Sequence, residues 1–381
     1  KLEKITPLDC LDALEKRISE IDNKVNALPT LCFDRARKQA KNLMKLPISD
    51  RGIYLGLPVP IKDLTDVAGV RCTSGSPIFK NRIASFSDYL VQNIEKNGGI
   101  IYAMSNTPEF GAGANTFNEV FGSTLNPWNT SLSAGGSSGG AAVSLATGMA
   151  WVAHGSDMGG SLRNPASFCS VVGMRPSPGR VAHTVSGKID QTLGVNGPMA
   201  RNIEDLAFFF DGMTGSYNKD PISLRREKKS FLNHSRSGWK PLRIAFSTDL
   251  GIPPVDKNVR KIILSAAQKL EREGINVEES HPDLKEAPEC SQVLRSLSFY
   301  VNLKEIYINN KDMLKPEIIW NIEKGMSLSI EQIVKAENER VVLFHKMQDF
   351  FQDYDLLLCP ATITPPFPVS ERYLKSCDGK D

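Results

Sequence analysis

Nowhere in the 381 residues does an apolar run reach the roughly 18 consecutive positions that a membrane-spanning helix needs. Cysteine is sparse: Cys10, Cys32, Cys72, Cys169, Cys290, Cys359 and Cys377 are scattered, odd in number and without C-x-x-C spacing. That pattern argues against a disulfide framework or a structural zinc site and fits a reducing compartment. Excess charge is missing too. The 46 basic residues against 43 acidic ones leave a net charge of +3, which gives no reason to expect nucleic acid as the main partner. One basic cluster, Arg225, Arg226, Lys228 and Lys229, precedes a polar stretch and reads as a solvated connection. No charged-then-apolar leader follows Lys1, so the expected setting is the cytoplasm, with no membrane partner.

What is present is ordinary for a globular enzyme or binding protein: 41% hydrophobic and 23% charged residues. The length allows about two domains, or one large α/β domain. Residues 7–22 place Leu8, Leu11, Leu14, Ile18 and Ile21 at spacings of three and four, which predicts an amphipathic helix. A second helical run, 87–96, ends at Gly98 and Gly99, and "IIYAM" after it reads as a strand. Further on, "KPLRIAFS", a helical run over 256–273 and "INVEES" read as strand, helix, strand. The helix puts Val259, Ile262, Ile263, Ala266 and Leu270 on one face, and Gly274 ends it. That is a βαβ unit, which implies parallel strands covered on both faces. A helical pattern over 330–351 then precedes the short apolar run "LLLC".

Chemistry is concentrated in "AGGSSGGAAVSLATGMAWVAHGSDMGGSLRNPAS", residues 134–167. A flexible linker would lack its large apolar residues; "AAVSLATGMAWVAHG" predicts a closely packed helix and then a short strand. Two readings of the serines stay open. G-x-S-x-G is matched twice, centred on Ser137 and Ser138, as in a strand–turn–helix nucleophile elbow. "NPWNTSLSA" before it makes a poor strand, and His183, His234, His281 and His345 follow in uninformative contexts. Alternatively Ser161, after Gly159 and Gly160, is the nucleophile, with Ser137 a neighbour in space. Glycines there let backbone N–H groups converge on a point where an attacked carbonyl would develop charge. A base could be His154 nearby, or a lysine. In "YLGLPVPIKDLTDV" strand alternation puts Leu55, Leu57, Val59 and Ile61 on one face, leaving Lys62 on the other with Gly56, Pro58 and Pro60. Composition alone does not distinguish Lys62 from a solvated surface lysine.

Taken together, "GLPVPIKD", "SNTPEFG", "NPWNTSLSAGGSSGGAA", "GSDMGGSLRNPAS", "VGMRPSPGRV" and "GPMARNIEDLA" resemble the amidase signature family of serine amidohydrolases. The likeness covers roughly residues 50–215, with a C-terminal part over 216–381. It implies one large α/β domain over 1–381, with a mixed β-sheet covered by helices on both faces. It also implies a Ser–cis-Ser–Lys triad, with Ser161 the nucleophile, Ser137 the bridging serine and Lys62 the base. The backbone N–H groups of Met158, Gly159, Gly160 and Ser161 would form the oxyanion hole, and Ser138 and Ser156 would support the network. Asp157 and Arg163 would shape the loop or touch substrate, and the cis bond would join Gly136 to Ser137. No metal or organic cofactor has a part in that chemistry, and the partner is a small-molecule amide. Family members generally continue well beyond a segment like "LLLCPATITPPFP", so a C-terminal part short of the usual end is expected at Asp381.

The resemblance admits more than one function. An amidase cleaving a linear amide to acid and ammonia or amine comes first. The glutamine-hydrolysing subunit of a tRNA-dependent amidotransferase shares the signature, though "HTVSGKIDQTLGVNGPMAR" looks more like stand-alone amidases. A serine esterase of the nucleophile-elbow type and a silent relative retained for binding are the others. Neither the amide nor the oligomeric state, homo-oligomer included, is specified by these motifs.

Overall fold

Thr6 sets where the first helix begins. Its hydroxyl accepts the Asp9 N–H at 3.2 Å while the Asp9 carboxylate accepts the Thr6 N–H at 2.7 Å, a reciprocal cap for α1 (Pro7–Val25). The helix runs past residue 22 because the Asp22 carboxylate accepts the Ala27 N–H at 2.7 Å and Asn26, at φ 54°, turns the chain. The computed structural model describes residues 5–185, 192–238, 240–252 and 254–379; part of the "HTVSGKIDQTLGVNGPMAR" stretch, 186–191, lies outside them. The chain divides into two compact units, Lys1–Ser237 with Pro368–Tyr373, and Gly238–Phe367 with Leu374–Asp381.

In the first unit β1 (Thr30–Leu31) and α2 (Phe33–Met44) lead to β2 (Pro58–Lys62), α3 (Tyr89–Lys96) and β3 (Ile100–Ser105). β3 is the centre of a mixed ladder, antiparallel to β1 and parallel to β2. The alternation expected over 55–62 fails at its start. Leu55 is 37% exposed at φ 53°, in a turn whose Tyr54 and Gly56 N–H groups donate to Asn97 and Gly98. Only from Pro58 is the chain a strand, and all five residues of β2 are buried, so both its faces are covered. Its register slips between Val59 and Pro60, where prolines lack the N–H a regular ladder needs.

The short hairpin β4 (Phe117–Asn118) and β5 (Gly122–Ser123) precedes α4 (Gly139–Ala146) and β6 (Val152–Asp157). The closely packed helix and short strand expected of this stretch are both there. Small residues make α4 possible: Gly139, Gly140, Ala141 and Ala142 are buried, and a Cβ at Gly140 would lie 2.3 Å from the Asn106 backbone nitrogen. After α5 (Arg163–Cys169) come β7 (Val172–Gly173) and β8 (Val195–Ala200), with β8 antiparallel to both β6 and β7. α6 (Ile203–Met213) and α7 (Phe231–Ser235) close the unit. Two apolar clusters form its core, one around Leu11, Leu14, Tyr102 and Leu145, the other around Val59, Ile61, Ile94 and Phe209.

The second unit holds the expected βαβ arrangement. β9 (Arg243–Phe246), α8 (Lys257–Arg272) and β10 (Asn276–Glu279) are joined by α9 (Ala287–Asn310), α10 (Pro316–Met326), α11 (Ile330–Asp353) and β11 (Leu356–Leu358). β9 is central and parallel to both neighbours. One expected core position moves outward: Ile262 is 65% exposed, while Val259, Ile263, Ala266 and Leu270 are half-buried and Ala267 is buried. At 100° per residue Ile262 lies about 60° away from Val259, off the side on which Ala267 extends the stripe. Among the described residues no helix is long and apolar enough to cross a membrane.

Candidate active site

β2 ends at Lys62, whose side chain is fully buried. Its Nζ lies 2.7 Å from Ser137 Oγ, 2.9 Å from Ser138 Oγ and 3.0 Å from Ser156 Oγ, with the Ser156 carbonyl at 3.4 Å. Neutral hydroxyls cannot offset the cost of burying an ammonium. Burial therefore pushes the lysine down to about 7, against the opposing pull of the Asp157 charge. A lysine so placed is partly neutral near pH 7 and can accept a proton.

The strand beside β2 explains how Lys62 is held. The Lys62 N–H donates to Nδ1 of His154 on β6 at 3.3 Å, and His154 Nε2 lies 3.0 Å from Asn196 Oδ1 on β8. With Nδ1 accepting, Nε2 carries the hydrogen and donates to Asn196. Burial lowers this histidine to about 4; the Asn196 bond opposes the shift and the Lys62 charge adds to it. His154, weighed above as a base, is thus neutral with both nitrogens engaged, and serves the lysine's backbone. Asn196 carries no sequence signal of its own.

Ser137 follows a cis Gly136–Ser137 peptide bond in the turn that opens α4. Ser138 ties that turn to two places. Its hydroxyl donates to the Ser156 carbonyl at 3.2 Å and accepts the Ser156 N–H at 3.3 Å. Its N–H donates to the Ser161 carbonyl at 3.2 Å, which joins the loop bearing Ser161 to the lysine cluster through the backbone. The structure therefore gathers Lys62, Ser137, Ser138 and Ser156 side chain to side chain, with the half-buried Ser161 beside them.

Asp157 organises the loop from Met158 to Ser161. Its carboxylate accepts the N–H groups of Gly160 at 2.8 Å and Leu162 at 3.0 Å and receives Arg163 through Nε and Nη2, each at 3.1 Å. Arg175 approaches the same carboxylate at 3.4 Å, donates to the Asp157 carbonyl and donates to Leu193 at 2.8 Å. Burial alone would raise this carboxyl; Arg163 and the two N–H groups outweigh it and hold the group at about 2. Gly160 has φ 113°, and a Cβ there would lie 2.7 Å from Asn164 Oδ1, so glycine is required. One of the four N–H groups assigned to an oxyanion hole, that of Gly160, is thus committed to Asp157. Arg175 stands in the "VGMRPSPGRV" motif, but only the fold reveals its target. Asp63, next to the lysine, is also buried: it accepts the Thr73 N–H at 2.8 Å and hydroxyl at 2.5 Å, and burial raises it to about 6.

Among the described residues no group of three or more His, Cys, Asp or Glu side chains is arranged to hold a metal ion. The family model described as Amidase matches residues 9–378. The chain is similar, at 29% identity over 97% of its length and 81% of the relative, to a glutamyl-tRNA(Gln) amidotransferase subunit from Halothermothrix orenii. It is likewise similar to an acylamidase of Rhodococcus erythropolis, 29% identical over 96% of this chain and 78% of that one. Among solved structures, a bacterial aryl acylamidase of the amidase signature enzymes matches with a TM-score of 0.92 at 24% identity, covering 100% of this chain and 82% of that one. The fold is therefore the α/β, mixed-sheet fold of those structures.

Proposed function

As the chain belongs to the amidase family, we propose that it hydrolyses a carboxylic amide to an acid and ammonia or an amine through an acyl-enzyme on Ser161. One observation carries this reading: a fully buried lysine lies within 3.0 Å of three serine hydroxyls and is held at about 7. Neutral Lys62 accepts the Ser137 hydroxyl proton as Ser137 accepts that of Ser161, and Ser161 Oγ attacks the carbonyl carbon. The oxyanion faces the backbone of the Met158–Ser161 loop, where the N–H groups of Met158, Gly159 and Ser161 remain to receive it beside the committed Gly160. The proton returns through Ser137 to the leaving nitrogen, and water repeats the sequence to release the acid. Ser138 and Ser156 supply two of the lysine's three hydroxyl contacts and keep its lone pair aimed at Ser137.

Labelling with a fluorophosphonate and mapping the modified peptide tests this. Attachment at Ser161, abolished in Lys62→Ala, is the expected result. Attachment at Ser137 or Ser138, indifferent to Lys62, would overturn it in favour of a nucleophile elbow. Against that alternative, both hydroxyls are buried and taken by Lys62. A second reading, glutamine hydrolysis within an amidotransferase assembly, is favoured by the similar amidotransferase chain, matched over 97% of this one. Glutaminase activity that appears only on adding such partner subunits, with no turnover of simple amides, would select it.

A further inference from the structure

We infer that Thr116 is a positioning residue whose hydroxyl, set between the two limbs of the Gly135–Gly139 turn, holds Ser137 against Lys62. The inference rests on the reading of the site given above. Thr116 lies outside the motifs that carry the family resemblance, and its side chain is completely buried. Its hydroxyl donates to the Gly135 carbonyl at 2.8 Å and accepts the Gly139 N–H at 3.2 Å. Those residues stand two before and two after Ser137, so one oxygen spans the turn with the serine at its tip.

The surroundings leave the turn little room to relax another way. A Cβ on Gly139 would lie 2.3 Å from Thr116 Oγ1, and one on Gly136 would lie 2.9 Å from the Asn115 carbonyl carbon. The backbone of Ala114 and Asn115 and the side chain of Thr116 thus lie directly against the turn, which accounts for glycine at both positions. Gly135 is held from its other side as well: its N–H donates to Ser133 Oγ at 3.0 Å, and that hydroxyl donates to Asn115 Oδ1 at 2.6 Å. Thr116 is itself fixed, because its carbonyl accepts the Thr124 N–H at 2.9 Å where the β4–β5 hairpin begins. The Ser137–Lys62 contact of 2.7 Å is therefore framed by the segment 114–116, in which the Thr116 hydroxyl alone bonds both limbs of the turn.

Valine fills the threonine's shape but can neither donate to Gly135 nor accept from Gly139, which leaves two buried backbone groups unpaired. A shift of about 1 Å at a reacting group costs on the order of 100-fold in rate. The test is the rate constant and the final stoichiometry of fluorophosphonate labelling at Ser161 in the full chain, wild type beside T116V and T116S. The expected result is T116V slower by about 100-fold at undiminished final stoichiometry, and T116S close to wild type because it keeps the hydroxyl. Loss of stoichiometry at an unchanged rate would mean partial unfolding alone and overturns the proposal, as does T116V labelling as fast as wild type, which leaves the triad reading intact. Wild type unlabelled at Ser161 removes both. If T116V does not fold, T116S decides: folded and slowed by on the order of 100-fold it overturns the proposal, and folded at the wild-type rate it supports it.

Discussion

The two units differ in degree in how they treat polarity: each exposes some large apolar side chains, Trp128 at 70% in the first, but the buried polar groups of the first are gathered around one lysine. In the first, Lys62, Asp63, Ser137, Ser138, His154 and Asp157 are all buried, each with partners on neighbouring elements. In the second, large apolar side chains stay open to solvent: Leu242 is 82% exposed, Ile330 76%, Ile262 65% and Phe344 59%. Along α11, Ile330, Val334, Val341, Phe344 and Phe351 follow one another at steps of three, four or seven residues, an exposed apolar stripe on a single face. Burying polar groups costs stability unless each is paired, and leaving apolar groups exposed forgoes stability. The first unit carries its cost where chemistry needs low-dielectric surroundings. The second is built by periodicity, around a stripe narrower than its apolar content would allow.

Lys62→Met breaks the comparison most severely, because it removes the costliest buried group and leaves the packing. Activity is expected to fall by about 10⁴-fold, the upper end for loss of a general base, while unfolding in urea shows no loss of stability. The sign follows from linkage. The folded state holds Lys62 at about 7, below its unfolded value, so between about 7 and 10.4 the unfolded chain binds more protons and stability rises with pH. Below about 7 the full charging cost, up to roughly 5 kcal/mol, is present. Lys62→Met should flatten that rise. In the wild type kcat/KM should climb about tenfold per pH unit below 7 and level off above it. A midpoint near 4 instead would transfer the base role to His154.

Asp157→Asn sharpens the comparison from the opposite direction, since here the buried charge is paired. Its carboxylate supports the Met158–Ser161 loop through Gly160 and Leu162 and neutralises Arg163 and Arg175. Removing it is expected to cost about 3 kcal/mol in urea unfolding, as when one partner of a buried pair is lost. Asp157 is held below its unfolded value, so its contribution is complete above about 3.8 and is lost as pH falls towards 2. The asparagine variant should lose that acid limb. A variant as stable as the wild type would show the loop to be held by packing alone.

Much of this is legible in the sequence, and what is not has a physical reason. Helix positions follow apolar spacing, and the boundaries move where single side chains cap them, as Asp22 and Asp88 do. Motifs point to Lys62, Ser137, Ser138 and Ser156, and the fold brings those four together. Thr116, Asn196 and the target of Arg175 stay hidden because their meaning lies in partners, distant in sequence, that only the fold brings near. The resemblance assigns the Gly160 N–H to an oxyanion hole, and the bond that N–H makes to Asp157 at 2.8 Å is a detail that the motif does not carry. Spacing also over-counts the buried face of α8, because it records which residues could share a stripe and not how wide a stripe the neighbouring strands cover.

That width gives the smallest effects, in the second unit. Ala267 is 2% exposed and Ile262 65%, although both lie on the same helix and isoleucine is the more apolar. Ala267→Leu adds three carbons at a buried position and is expected to cost about 1–3 kcal/mol in urea unfolding. Ile262→Gln exchanges an apolar group for a polar one already facing solvent, so its effect should stay within about 0.5 kcal/mol. Neither should alter the Ser161 labelling rate, because the described partners of Lys62 all belong to the first unit. If Ile262→Gln costs more than Ala267→Leu, the apolar face of α8 is covered in solution, and the contrast between a polar interior and an open apolar surface holds for α9–α11 alone.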